Sequence, residues 1–350
     1  MKLKIIYELM KNIYLFIVLA VFLYSCQSKV IERTEIVEFP MNLKINPSVI
    51  LTDSVILAPD AMFVMNDQIW ILQRKMDPLF YVFDIQTCNF LFSTGTKGQG
   101  PDDFIFPRGL TIQSENDFFT ILDVGKGNIV KTMEWIPNYG LRTLKSEVPF
   151  SDGNPLNGFI KLSDSLFCAF ADCFTGTVGN LEYKIMNTLD RKEFKFSKYP
   201  ENIVRKKLEQ DMKCQIYGKN LIANSEKKRF AAFYNYFKFF RIYSYEGELI
   251  NETYVNIPPY QTKNIENWEA RLIYYGKPEA SDQYIYAYCS ANKEIQVWDW
   301  DGNPIINYML MNDKIYSKFT VSEKLKTIYL LSYDEDDLDK IFTFELTHLN

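Results

Sequence analysis

Residues Gly95–Asp123 read GTKGQGPDDFIFPRGLTIQSENDFFTILD. After a glycine-rich start, Pro107–Gln113 (PRGLTIQ) is a short strand-forming run, Glu115-Asn116-Asp117 turns the chain, and Asp117–Asp123 (DFFTILD) is a second strand. Val124–Gly127 turns again on Gly125 and Gly127. Asn128–Trp135 (NIVKTMEW) and Tyr139–Ser146 (YGLRTLKS) follow as third and fourth strands. Four short antiparallel strands joined by polar turns make one blade of a β-propeller.

The unit recurs along the chain, as a repeat architecture requires. Its second and third strands pair Gln68–Gln73 with Leu79–Asp84 before this stretch. After it they pair Ser165–Ala171 with Glu182–Asn187, Arg229–Tyr234 with Lys238–Tyr245, Tyr284–Cys289 with Glu294–Trp300, and Thr327–Tyr333 with Lys340–Leu346. The anchors Trp70, Phe119, Phe167, Ala231, Tyr286 and Tyr329 stand 49, 48, 64, 55 and 43 residues apart. The two long steps hold insertions. Pro200–Lys213 carries Ile203, Val204, Leu208 and Met212 near helical spacing, and Asn264–Tyr274 has room for a helical turn. Neither reads as a domain boundary.

The expectation is therefore one all-β domain over residues 26–350, a six-bladed β-propeller with four antiparallel strands per blade. The sixth unit runs out of chain after its third strand. An unpaired blade edge exposes backbone donors and acceptors, so an N-terminal strand somewhere in Val30–Leu57 is expected to close the ring and bring both chain ends to one blade.

Composition agrees with an all-β globule. The 350 residues are 47% hydrophobic and 24% charged, and the 16% aromatic content suits pleated, half-buried strands. A net charge of −5 without a basic patch argues against nucleic acid as a partner. The single histidine, His348, leaves no material for Ser-His-Asp or Cys-His catalysis, or for a multi-histidine metal site.

At the N-terminus, Lys2, Lys4 and Lys11 accompany an apolar run, Ile13–Leu23 (IYLFIVLAVFL), too short for the roughly 20 residues of a bilayer span. Residues 1–25 read as a secretory signal peptide; the alternative is a short anchor that is never cleaved. Leu23-Tyr24-Ser25-Cys26 resembles the bacterial lipobox, which implies acylation of Cys26. Residues 26–33 would then be a tether, holding the protein to a membrane of the bacterial cell envelope through lipid. Five other cysteines remain, Cys88, Cys168, Cys173, Cys214 and Cys289, with no C-x-x-C pair. An odd number without that spacing reads as isolated buried thiols.

With these residues in view, GTKGQGPDDFIFPRGL followed by Asp123 and Asn128-Ile129 resembles an NHL-type repeat. YIYAYCSANKEIQVWDWDGNPI and KTIYLL resemble the TolB-like six-bladed propellers found in many bacterial lipoproteins. Together the resemblances cover nearly the whole mature chain, and both imply the same ring.

Gly95, Gly98 and Gly100 do not form a nucleotide loop: the Gly-Lys-Ser/Thr ending is missing and Pro101 follows. In a propeller they permit positive φ where the chain crosses between blades. Asp299–Asn303 (DWDGN) lacks the glutamate and spacing of a calcium loop and reads as a hairpin turn. Asp334–Asp339 (DEDDLD) reads as a solvated loop on the same face as the Gly95–Phe106 crossover.

Propeller ligands usually sit at the channel mouth on that crossover face. The candidate binding residues are accordingly Lys97, Gln99, Asp102 and Arg108 on the first crossover, Arg74 after a second strand, and Arg271 in the late insertion. No catalytic residue, metal ligand or cofactor is assigned. The expected function is a membrane-tethered binding module for a small molecule, a glycan or a protein. The alternative is a calcium-dependent, lactonase-like hydrolase or lyase, which would need Asp, Glu or Asn converging from several inner strands.

Overall fold

The computed structural model describes residues 33–112, 118–150, 156, 158–171, 181–200, 210–261 and 265–349. They form six sheets arranged as a ring. Blade 1 holds Ala61–Met65, Gln68–Leu72, Phe80–Asp84 and Phe90–Thr94. Blade 2 holds Pro107–Ile112, Phe118–Asp123, Ile129–Ile136 and Gly140–Glu147. Blade 3 holds Ile160–Lys161, Leu166–Phe170, Leu181–Asn187 and Lys192–Lys198. Blade 4 holds Lys219–Asn224, Arg229–Tyr234, Phe239–Ser244 and Leu249–Val255. Blade 5 holds Glu279–Ala280, Tyr284–Cys289, Glu294–Asp299 and Pro304–Leu310. Blade 6 takes Tyr316–Ser322, Thr327–Ser332 and Lys340–Glu345 from the C-terminal end, and Ser48–Leu51 from the other.

The middle strands of each blade are nearly continuous apolar runs because both of their faces are covered by neighbouring blades. Ile69, Trp70, Ile71 and Leu72 are all buried, as are Phe230–Tyr234 and Ile295, Val297 and Trp298. Outer strands lose one cover and turn polar: Lys192–Lys198 is mostly exposed. The core is consequently a set of seams between blades. Phe63, Trp70, Phe80 and Phe119 fill the seam of blades 1 and 2, with Phe80 and Phe119 ring centroids 5.4 Å apart. Trp298 meets Phe240 at 4.9 Å between blades 4 and 5. Burying such a ring contributes about 2–3 kcal/mol, so each seam is a substantial adhesive.

The ring closes as expected, with Ser48–Leu51 antiparallel to Lys340–Glu345. Each blade has the expected four antiparallel strands. Arg33–Ile36 and Asn42–Ile45 add fifth, parallel strands to blades 4 and 5. The N-terminal ribbon thus follows the outer rim across three blades, and Phe39 between its strands packs 4.9 Å from Trp298. The expectation that both ends meet on one blade is also modified. Arg33 lies on blade 4, whereas Thr347 near the other end accepts a hydrogen bond from Tyr308 of blade 5. Cys26 and residues 1–25, read above as a signal peptide, fall outside the described residues. Of the two insertions, Gln210–Ile216 is helical and Trp268–Ala270 is a 3-10 turn.

Candidate site at the channel mouth

The first strands of all six blades line a central channel, and the crossovers between blades surround one end of it. A cavity of about 290 Å³ opens there, lined by Asp60, Arg74, Arg108, Leu110, Phe159 and Lys277 among others. A narrower cavity of about 110 Å³ continues below it, bounded by residues of all six inner strands.

Blade 2 shapes the mouth through an irregular inner strand. Arg108 pairs with Leu122 and Thr111 with Thr120, so Gly109 and Leu110 together face Ile121 as a bulge. Gly109 takes φ +57°, and a Cβ there would stand 3.2 Å from Cβ of Phe159. Leu110 has no partner in that register, which leaves its carbonyl available to the channel. Lys277, leading into the inner strand of blade 5, sends its Nζ across to donate to that carbonyl at 3.2 Å. Blades 2 and 5 are opposite each other in a ring of six, so this lysine bridges the channel.

Cations dominate the rim. Arg74 is ion-paired with Asp60, whose other oxygen accepts the Arg74 backbone N–H at 2.7 Å. The guanidinium groups of Arg74 and Arg108 both lie against the half-exposed ring of Phe106, 5.3 and 4.6 Å from its centroid. Lys318 donates to the Ser317 carbonyl at 3.1 Å. Burial holds its ammonium below the usual lysine range; the nearby Asp60 opposes that shift, while Arg74 and Lys277 add to it. Lys277 stands 3.9 Å from Glu279, whose carboxyl is pushed up to about 7 by burial against the pull of Lys277. Lys219 also lines the mouth, but its ammonium is committed to the fully buried Glu182. That carboxylate further accepts from Tyr234 and from Arg241 at 2.9 Å, stapling blade 3 to blade 4.

Of the residues expected at the mouth, Arg74 and Arg108 line the cavity. Lys97 and Gln99 lie exposed along the crossover. Asp102 is turned to the rim, where it accepts the Thr143 N–H at 2.7 Å and ties the crossover to an outer strand. Arg271 donates to the Ile265 carbonyl of its own insertion at 2.7 Å and covers the ring of Tyr236 in the turn between the middle strands of blade 4. Asp60, Lys277, Lys318 and Glu279 were not expected. Their signal is positional: each sits just before or within the opening residues of an inner strand.

The other sequence features resolve into structure. Only Gly95 of the crossover glycines takes positive φ; Gly98 and Gly100 instead make room for the Asp103 carboxylate, which a Cβ at either would strike within 2.7 Å. Asp299 caps its own hairpin by accepting the N–H groups of Asp301 and Asn303, each at 2.8 Å. Within Asp334–Asp339, Asp337 is held by Lys314 and Lys340. Cys88, Cys168 and Cys289 are buried and unbridged, and burial pushes the Cys88 and Cys289 thiols up to about 12. Cys173 lies outside the described residues. Among the described residues, no three His, Cys, Asp or Glu side chains gather to hold a metal ion.

Fold and site together define a six-bladed β-propeller with a cationic channel mouth. Among solved structures, a protein of Bacteroides fragilis NCTC 9343 inferred to be exported aligns with a TM-score of 0.52 and 11% identity, over 87% of this chain and 98% of its own. A member of the DUF4221 family from Bacteroides vulgatus ATCC 8482 aligns with a TM-score of 0.55 and 10% identity, over 85% and 95%. At that identity the likeness is one of fold. No family model matches the chain, and no curated protein matches it in sequence.

Proposed function

We propose that this protein is a lipid-tethered, exported propeller of TolB-like or NHL-like type that binds a small anionic ligand at the crossover-face mouth of its channel. The observation that carries this is the charge at the mouth. Arg108 rests on an aromatic ring with no carboxylate against it among the described residues, and the Lys277 ammonium hydrogen-bonds only a neutral carbonyl, with the Glu279 carboxyl 3.9 Å away and beyond hydrogen-bond reach. Cations without full counter-charge in a partly dry cleft focus anions toward them. A cavity near 300 Å³ is at the small end of ligand sites. Export and tethering rest on the leader and on Cys26, and they agree with the exported character inferred for the B. fragilis neighbour.

The calcium-dependent alternative would need several converging carboxylates; among the described residues the mouth has Asp60, held by Arg74, and Glu279, beside Lys277. Two measurements test the proposal. Labelled palmitate should enter the wild-type chain in cells and not Cys26→Ser; equal labelling of both overturns the tether. Titration of the full chain, purified in mild detergent, with inorganic phosphate and with glutarate should show saturable binding. Stoichiometric calcium uptake with no anion binding would instead favour the enzyme.

A further inference from the structure

The upper and lower channel cavities share Leu110, Leu221 and Lys277 in their walls. Lys277 therefore stands between the two chambers, and Glu279 lines the lower one. Glu279 opens the inner strand of blade 5, and Lys277 stands two residues before it. Their separation, 3.9 Å between Nζ and Oε1, is too long for a hydrogen bond. Lys277 spends one of its three donors on the Leu110 carbonyl. The Glu279 carboxylate, whose side chain is 15% exposed to the channel, receives no hydrogen bond from the described residues. A positive and a negative group thus face one narrow space, within ion-pair range but not hydrogen-bonded to each other.

We propose that the ligand is an acidic α-amino acid: its α-carboxylate takes Lys277, its α-ammonium pairs with Glu279, and its side-chain carboxylate reaches Arg108 at the rim. The inference rests on the mouth being the ligand site. An α-amino acid carries its two backbone charges a few ångströms apart, which suits the Lys277–Glu279 spacing. An ionised carboxylate is a much stronger acceptor for an ammonium than a neutral carbonyl, so the ligand draws Lys277 away from Leu110. That movement strips Glu279 of its nearby cation, and a buried carboxylate without one is costly; the ligand's own ammonium replaces it. Arg108, displayed on the Phe106 ring, supplies the third charge contact.

The test compares L-glutamate with glutarate, which lacks the ammonium, and with L-norvaline, which lacks the second carboxylate. All are titrated calorimetrically into the full chain in detergent. L-Glutamate should bind at least tenfold more tightly than either. Glu279→Gln, which preserves shape, should bring L-glutamate down to the affinity of glutarate while leaving glutarate no weaker. Equal or tighter binding of glutarate to the wild type overturns the inference, as does an ammonium advantage that survives Glu279→Gln. If neither acid nor inorganic phosphate binds the wild type, the mouth itself is wrong as the ligand site, a failure separate from that of the amino-acid assignment.

Discussion

The ammonium of Lys277 on blade 5 donates to the carbonyl of Leu110 on blade 2, 3.2 Å away and across the channel. The acceptor stands in the irregular part of the blade 2 inner strand, where Gly109 at φ +57° and Leu110 together face Ile121. The bridge ties a local backbone irregularity to the charge that an incoming anion would meet.

Gly109→Ala should therefore lower both stability and affinity. A non-glycine residue at φ +57° costs roughly 1–2 kcal/mol, and the added Cβ crowds Phe159. Thermal unfolding should shift down by about 2–6 °C, and glutarate affinity should fall several-fold as the Leu110 carbonyl moves. An unchanged Tm together with unchanged affinity would show that the bulge does not shape the mouth.

The two arginines beside Phe106 should separate under mutation. Arg108→Ala should leave Tm within about 1 °C, since the residue is exposed and its removal strands no carboxylate, while anion affinity drops about tenfold. Arg74→Ala should also destabilise, by roughly 1–2 kcal/mol, because Asp60 loses a guanidinium at a partly buried site. Calorimetric unfolding alongside titration distinguishes the two effects.

Glu279 should make the stability of the ligand-free protein depend on pH. Its folded value, about 7, lies above its unfolded value near 4.5, so the native state holds the proton more tightly. Its contribution to stability is then full below pH 4.5, declines as pH rises through 7, and levels off beyond it. Glu279→Gln removes that decline and should be more stable than wild type at pH 8 by about 3 kcal/mol. Parallel Tm–pH curves for the two proteins would contradict the assignment.

The staple between blades 3 and 4 should be the most sensitive polar site in the ring. Glu182 is fully buried and takes Lys219, Tyr234 and Arg241 together. Glu182→Leu leaves two buried cations without their shared anion and should cost about 3–5 kcal/mol, a Tm loss of about 6–10 °C. Glu182→Gln, which can still accept, should lose less.

The ring was legible in the sequence because seam packing writes itself into the middle strands. Runs such as QIWILQ and RFAAFY are apolar on both faces, and only a sheet covered on both sides needs that. The parallel rim strands were not legible: RTEI and NLKI are short and half polar, and their partners are set by the path of the ribbon around a finished ring. The mouth was half legible. Arg74 and Arg108 stand beside turn signals that fix their depth, whereas Lys277 and Lys318 become channel residues only once six blades set the first strands around one axis. Asp102 looked equally suited by position, but its carboxylate is committed to the Thr143 N–H.

The most direct test of a cationic ligand mouth is a glutarate titration of the wild-type chain beside Lys277→Met, which keeps the length of the side chain and removes its charge. The wild type should bind saturably and the variant at least tenfold more weakly, while Tm falls by a few degrees, since the change removes one hydrogen bond to a neutral carbonyl, about 1 kcal/mol, and the cation 3.9 Å from Glu279. Equal binding by the two proteins, or none by the wild type, would contradict it.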